Sequence, residues 1–191
     1  MLLTELRAAT QPMHDALERR LNIADPNLSR ERYFQILRRF YGFYAPMESA
    51  IAAYGTHTVD WLDADRRKIP LLSSDLEFSG MSNRDIARLP CCKDLPGLSN
   101  PAGHLGCMYV LEGATLGGQV VSRHVKNHLG LTDAVTRFFN SYGSRVGEMW
   151  KSFCGHLGRV ENSPAAHGPV IASACATFGA LDRWLLHDGG L

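Results

Sequence analysis

Apolar residues along the 191-residue chain recur mostly at intervals of three and four, and no stretch alternates as a half-buried strand would. The first such pattern covers residues 4–21, with Leu6, Met13 and Leu17 on one side. Pro12 falls inside it and marks either a bend or the start of the firm part of the helix. Residues 22–28 read as a loop around Asp25-Pro26-Asn27. Ser29 then caps a long helix carrying Tyr33, Ile36, Leu37, Phe40, Tyr41 and Tyr44, with a bend expected near Pro46 and an end near Tyr54-Gly55. Residues 56–98 are the least legible: short helices are expected at 61–67 and 83–89, with Pro70, Pro90 and Pro96 as breaks. Asn100-Pro101 is the favoured cap-then-proline start of a helix, and Leu129-Gly130 its glycine stop. Further helices are expected over residues 138–157 and from Ser163-Pro164 through Leu185. The pattern predicts an all-α fold, one domain over residues 1–191 with seven or eight helices.

Composition narrows the function classes more than the fold. With 45% hydrophobic and 20% charged residues and a formal net charge of +1, nothing selects nucleic acid or a membrane surface as partner. No run approaches the roughly 20 apolar residues of a membrane span. The N-terminus enters a charged amphipathic pattern directly, unlike an export signal. Five cysteines, none in a C-x-x-C pair, read as reduced thiols, with a thiolate metal ligand as the other reading. A cytoplasmic location is expected.

The helix opened by Pro101 carries Gly103, Gly106, Gly113, Gly117 and Gly118, each costing about 1 kcal/mol relative to alanine in a helix interior. Gly113 and Gly117 are four apart and share a face. Either a second helix packs closely on the bare backbone or a flat ligand approaches it, and periodicity leaves both open.

Seven of the eight histidines have little to single them out. His124 and His128, four apart, could chelate a metal, but the zinc-protease pattern H-E-x-x-H is absent. His57, His104, His156, His167 and His187 have no obvious ligand partner. His14 has Glu18 one turn later, placed to accept the proton of the ring nitrogen that does not bind metal. Arg7 lies two turns earlier, about 10 Å along the axis. That span suits a haem iron and a carboxylate at the porphyrin edge. A surface histidine with an i,i+4 carboxylate is the competing reading.

At this point the residues match a known family. Leu6-Arg7-Ala8-Ala9-Thr10 with His14 and Glu18 resembles the proximal helix of haem oxygenases. Tyr109-Val110-Leu111-Glu112-Gly113-Ala114-Thr115-Leu116-Gly117-Gly118-Gln119 resembles their distal helix, at a matching separation. Glu148-Met149-Trp150-Lys151-Ser152-Phe153 is similar to the bacterial branch, and Cys175-Ala176-Thr177-Phe178 to the aromatic-bearing final helix. The resemblance spans nearly the whole chain and is weakest at its centre.

It implies a haem-oxygenase-like fold with haem b, both substrate and cofactor, between a proximal helix and a kinked, Gly-rich distal one. His14 would be the axial iron ligand, Glu18 the acceptor for its other nitrogen, and Gly113 and Gly117 the distal wall. Arg7, Tyr109 and Lys151 would hold the propionates; Trp150 and Phe178 would be apolar pocket walls or plain core. The implied reaction is cleavage of haem at a meso carbon to biliverdin, carbon monoxide and iron. Oxygen is consumed, and the electrons come from a ferredoxin or a flavoprotein reductase, since the chain has neither a dinucleotide-binding G-x-G-x-x-G nor Fe–S cysteine spacing. Arg123 and Lys126 are candidate docking charges. The biliverdin would go to a bacteriophytochrome, or the reaction would serve iron acquisition. Where the mammalian-like branch has an aspartate after the first distal glycine, this chain has Ala114, which leaves open both the proton source and the meso position cleaved.

Three other readings compete. A non-catalytic haem carrier or sensor would share the His14 pocket. A di-iron carboxylate protein needs Glu-x-x-His pairs, and none of the eight glutamates has a histidine three positions on. A helical interaction module would take up no haem.

Overall fold

The computed structural model describes residues 1–55, 64–98 and 100–186. Among them lie eight α-helices and no strand: α1 (Leu2–Leu21), α2 (Arg30–Gly55), α3 (Ile69–Phe78), α4 (Asn83–Ile86), α5 (Pro101–Leu129), α6 (Arg137–Asn140), α7 (Val146–Glu161) and α8 (Pro164–Leu186). Where the chain carries a capping residue, it sets the boundary. The Asn100 side chain accepts from Gly103 N–H at 2.9 Å, Pro101 follows, and Gly130 closes α5 in the left-handed region at φ 62°. Ser29 Oγ accepts from Arg32 N–H at 3.1 Å at the head of α2. Helix α1 runs from Leu2 straight through Pro12, and α2 through Pro46.

The long α5 is the axis of the molecule. It packs most extensively along α8 and is flanked by α6 and α7, while α1 lies on α8 and α2 on α3 and α8. Leu2, Leu6, Tyr33, Leu37, Phe43, Met47, Leu72 and Leu105 are fully buried in one continuous core. Helices α7 and α8 both pack on α5, and α1 packs on both of them; this corner holds the site.

Three expectations change. The helix expected over residues 138–157 is broken into α6 and α7, because Ser141 at φ 30° and Gly143 at φ 55° take left-handed backbone between them. Buried Phe138, Phe139, Tyr142, Met149, Phe153 and Leu157 continue across the break, so apolar spacing could not reveal it. Pro70 is not a break: it stands in the first turn of α3, where its missing N–H costs nothing. Of the helix expected at 61–67, residues 61–63 lie outside the described residues, and Ala64–Arg66 form a 3-10 turn.

Asp75 on α3 is fully buried, and its carboxylate accepts the N–H groups of Arg137 (3.0 Å) and Phe138 (2.9 Å). Burial nevertheless dominates these donors and pushes its carboxyl from 3.8 up to about 6. A carboxyl raised in the folded state binds its proton more tightly than in the unfolded chain. Its contribution is therefore present below about pH 4 and lost as pH rises to about 6. Asp75→Asn should remove this dependence, so the wild type loses on the order of 2 kcal/mol relative to the variant across that window. Thermal melts of both proteins at pH 4, 5 and 6 check it; a constant difference would contradict it.

Candidate active site

His14 sits in α1 with its side chain 44% exposed and its ring edge-on to Phe178 of α8, centroids 6.1 Å apart at 81°. Its Nε2 lies 3.6 Å from Glu18 Oε1 and its Nδ1 3.7 Å from Asp15 Oδ1, too long for hydrogen bonds. Nδ1 is a buried atom with no hydrogen-bond partner. Each ring nitrogen thus has a carboxylate as its neighbour, Nε2 that of Glu18 and Nδ1 that of Asp15. Among the described residues, His14, Asp15 and Glu18 form the one trio with ligand atoms all within 4.8 Å. Asp15 escaped the sequence reading because i,i+1 neighbours do not share a helix face.

One turn back, the Thr10 hydroxyl lies 3.4 Å from the Tyr109 hydroxyl and ties α1 to α5. The Tyr109 ring stands 6.0 Å from Trp150 of α7. A Cβ built on Gly113 would meet the same Trp150 ring at 3.8 Å. Arg7 is exposed on α1, close enough to Cys154 of α7 to oppose the rise that burial imposes on that thiol. Lys151, also exposed, is one turn before Cys154, which puts both cations on the same rim.

The glycines of α5 separate into two kinds. A Cβ on Gly106 would collide with the Val170 carbonyl and on Gly118 with that of Phe139, while one on Gly103 would reach the Gly97 carbonyl at 2.5 Å. These are close backbone contacts, the first of the two readings. Gly117 meets no atom within 4 Å, and Gly113 only the edge of an indole. Leu116 and Val120, on the same stripe, are 45% and 67% exposed. The face from Gly113 to Val120 is therefore apolar, and among the described residues a Cβ at its glycines would meet only the Trp150 ring, beside Gly113.

A family model described as "Heme oxygenase" matches residues 1–187. The chain belongs to the haem oxygenase family. A curated relative, the "Heme oxygenase" of Xanthomonas campestris pv. campestris (strain 8004), is 31% identical over 153 residues, 80% of this chain and 87% of its own. Two solved structures share the fold. Heme oxygenase-1 from the cyanobacterium Synechocystis sp. PCC6803, in complex with heme, aligns over 96% of this chain and 90% of its own, with TM-score 0.78 and 17% identity. The heme oxygenase of Leptospira interrogans aligns over 97% and 98%, with TM-score 0.77 and 18% identity. Membership makes this haem oxygenase an enzyme that degrades haem to biliverdin, and the carrier or sensor reading is not favoured.

Behind the glycine face the enzyme holds charges that the sequence reading passed over. Glu112 and Arg66, 2% and 6% exposed, form an ion pair at 2.5 Å. The other Glu112 oxygen accepts from the Tyr142 hydroxyl at 2.8 Å, and Arg66 Nη2 donates to Ser152 Oγ at 3.2 Å. Lys68 Nζ donates to the Arg66 carbonyl at 3.0 Å and sits 3.8 Å over the Tyr142 ring. Glu48 of α2 accepts the N–H groups of Lys68 and Ile69 at the start of α3; burial still holds its carboxyl above the usual range. One signal was readable: Glu112 is a lone charge in the apolar run from Tyr109 to Leu111.

Other histidines and the cysteines stand apart from His14 in their contacts. The His124 and His128 rings stack at 5.6 Å with no third ligand beside them among the described residues, and His167 bridges Glu5 and the Glu161 carbonyl. His57 and His187 lie outside the described residues. All five cysteines are free, and burial pushes the Cys107 thiol up to about 12.

Proposed function

We propose that this haem oxygenase holds haem b between α1 and α5, with one ring nitrogen of His14 on the iron. The reaction is opening of the porphyrin at a meso carbon to biliverdin, carbon monoxide and iron. The observation that carries the placement is the bare stripe Gly113–Leu116–Gly117–Val120, in contrast to Gly106 and Gly118 of the same helix, which are spent on helix packing. The donor set fits haem as well: a histidine with a buried, unpartnered ring nitrogen, and two carboxylates able to take the proton of the other.

Haem itself supplies the iron and oxygen chemistry when bound, and the protein supplies orientation and exclusion. His14 would hold the iron by one neutral imidazole nitrogen, and haem so held would supply the oxygen chemistry. Glu18 or Asp15 fixes the His14 tautomer. Gly113 and Gly117 let the α5 backbone come close to the ring and restrict where oxygen can lie. Arg7, Lys151 and Tyr109 meet the propionates at the rim, and Trp150 and Phe178 wall the pocket. Ala114 carries no proton donor, so protons reach the site through water held by backbone carbonyls or through another side chain.

Electrons come from outside, from a ferredoxin or a flavoprotein reductase. Lys126 is already paired with Asp133 at 2.5 Å, which leaves exposed Arg123 as the better docking charge. A bacteriophytochrome is a fitting acceptor for the biliverdin, in keeping with the Gly117-Gly118-Gln119 form. One domain accounts for the chain, supported by its continuous core. A cytoplasmic location fits five free thiols, and among the described residues no helix is long and apolar enough to cross a membrane.

The test is haem titration to one equivalent, then reduction in air by ferredoxin and its NADPH-dependent reductase, with catalase present to remove free peroxide. The Soret band should give way to the spectrum of biliverdin. A persistent oxy or ferric spectrum would overturn the reading.

A further inference from the structure

The buried charges behind the glycine face have no part in the chemistry just described, yet they join its two walls. Glu112 immediately precedes Gly113 on α5. Ser152 lies on α7 between Lys151 and Phe153, two residues after the Trp150 ring that faces Gly113. Arg66, on the 3-10 turn Ala64–Arg66, holds both: Nη1 on Glu112 at 2.5 Å and Nη2 on Ser152 at 3.2 Å. Tyr142, in the break between α6 and α7, holds the second Glu112 oxygen. The Arg66 backbone is itself held, because Lys68 Nζ donates to its carbonyl.

Stability is a poor reason for such a pair. Desolvating two charges offsets most of their attraction, and apolar residues of equal volume are often as stable or more so. A forked guanidinium with named acceptors does fix geometry, since its two nitrogens must meet two oxygens at set spacing. Here those oxygens belong to the helix bearing the glycine face and to the helix bearing the Trp150 and Lys151 wall.

We propose that Glu112 and Arg66 are positioning residues: their ion pair, with Tyr142 and Ser152, sets the gap between the Gly113 backbone and Trp150. Through that gap it sets which meso edge of the haem is turned toward oxygen. The proposal rests on the placement of haem against Gly113 and Gly117. The pair touches no substrate; it acts through the two walls it joins. In a pocket shaped by backbone contact, a small shift of one wall redistributes the products before it abolishes turnover.

The test compares the wild type with the double variant Glu112→Gln/Arg66→Met, which removes both charges together and leaves neither stranded. The double variant should melt within about 5 °C of the wild type. It should take up one haem with a His14-dependent spectrum. The ratio of biliverdin isomers, separated by chromatography after single turnover, should shift by at least about threefold. An unchanged ratio in a folded, haem-binding double variant overturns the proposal. If the double variant does not fold, Tyr142→Phe decides by the same ratio, since it frees one Glu112 oxygen and keeps both charges; an unchanged ratio there overturns it equally. Failure of the haem placement is a separate result. It would appear as a wild-type spectrum in His14→Ala, whatever the isomer ratio.

Discussion

Replacing His14 with alanine should leave a folded chain that no longer turns haem over. The side chain is 44% exposed and makes no hydrogen bond through Nδ1, so its removal from the middle of α1 costs little packing. Alanine is also the better helix former. Haem would still enter an apolar slot lined by Phe178, Trp150 and the α5 stripe, but without an iron ligand. Turnover should fall by more than about 100-fold, since loss of a direct ligand exceeds the 10- to 100-fold typical of a residue behind one. The Soret and visible bands should lose their histidine-ligated form, and free imidazole should restore part of it. Glu18→Gln should be milder, with the ligand kept and turnover down by about 10-fold. A His14→Ala protein with a wild-type ferric spectrum would refute the ligand assignment.

The second large effect is a contrast between adjacent glycines. A Cβ at Gly117 meets nothing within 4 Å, whereas at Gly118 it would strike the Phe139 carbonyl, a backbone atom that cannot rotate away. Gly118→Ala should therefore destabilise the fold by about 2 kcal/mol even after the gain in helix propensity, lowering the melting temperature by about 4–8 °C. Gly117→Leu should leave the melting temperature close to that of the wild type. Its side chain would project from the bare stripe, and haem turnover should fall by about 10-fold or more, with a shifted Soret band. Melting curves and haem titrations on the two variants separate the roles. A Gly117→Leu protein with full activity would remove that face from the site.

Much of this was legible in local signals. Ser29, Asn100-Pro101 and Gly130 each act within one turn of backbone, and each boundary they mark stands in the structure. His14 on α1 and Gly113 with Gly117 on α5 stood out through the motifs that resemble haem oxygenases; helix periodicity put them on defined faces but left their roles open. The centre of the chain was less legible for a specific reason. Pro70 ends some helices and begins others, and only the Glu48 carboxylate waiting at the start of α3 decides which. The break at Ser141–Gly143 was hidden because it lies under a continuous apolar pattern.

The sequence by itself determined the helical class, the ends of α2 and α5, the candidate iron ligand and the family. All of these depend on residues near one another in the chain or on motifs of fixed spacing. Only the tertiary structure decided which glycines of α5 are spent on packing and which leave a face bare, because that depends on whether α6 or α8 runs alongside. It alone joined Glu112 to Arg66, 46 positions away. Long-range pairing of charges leaves no periodic trace in a single chain. A lone glutamate in an apolar run announces that a partner exists, and folding alone names it.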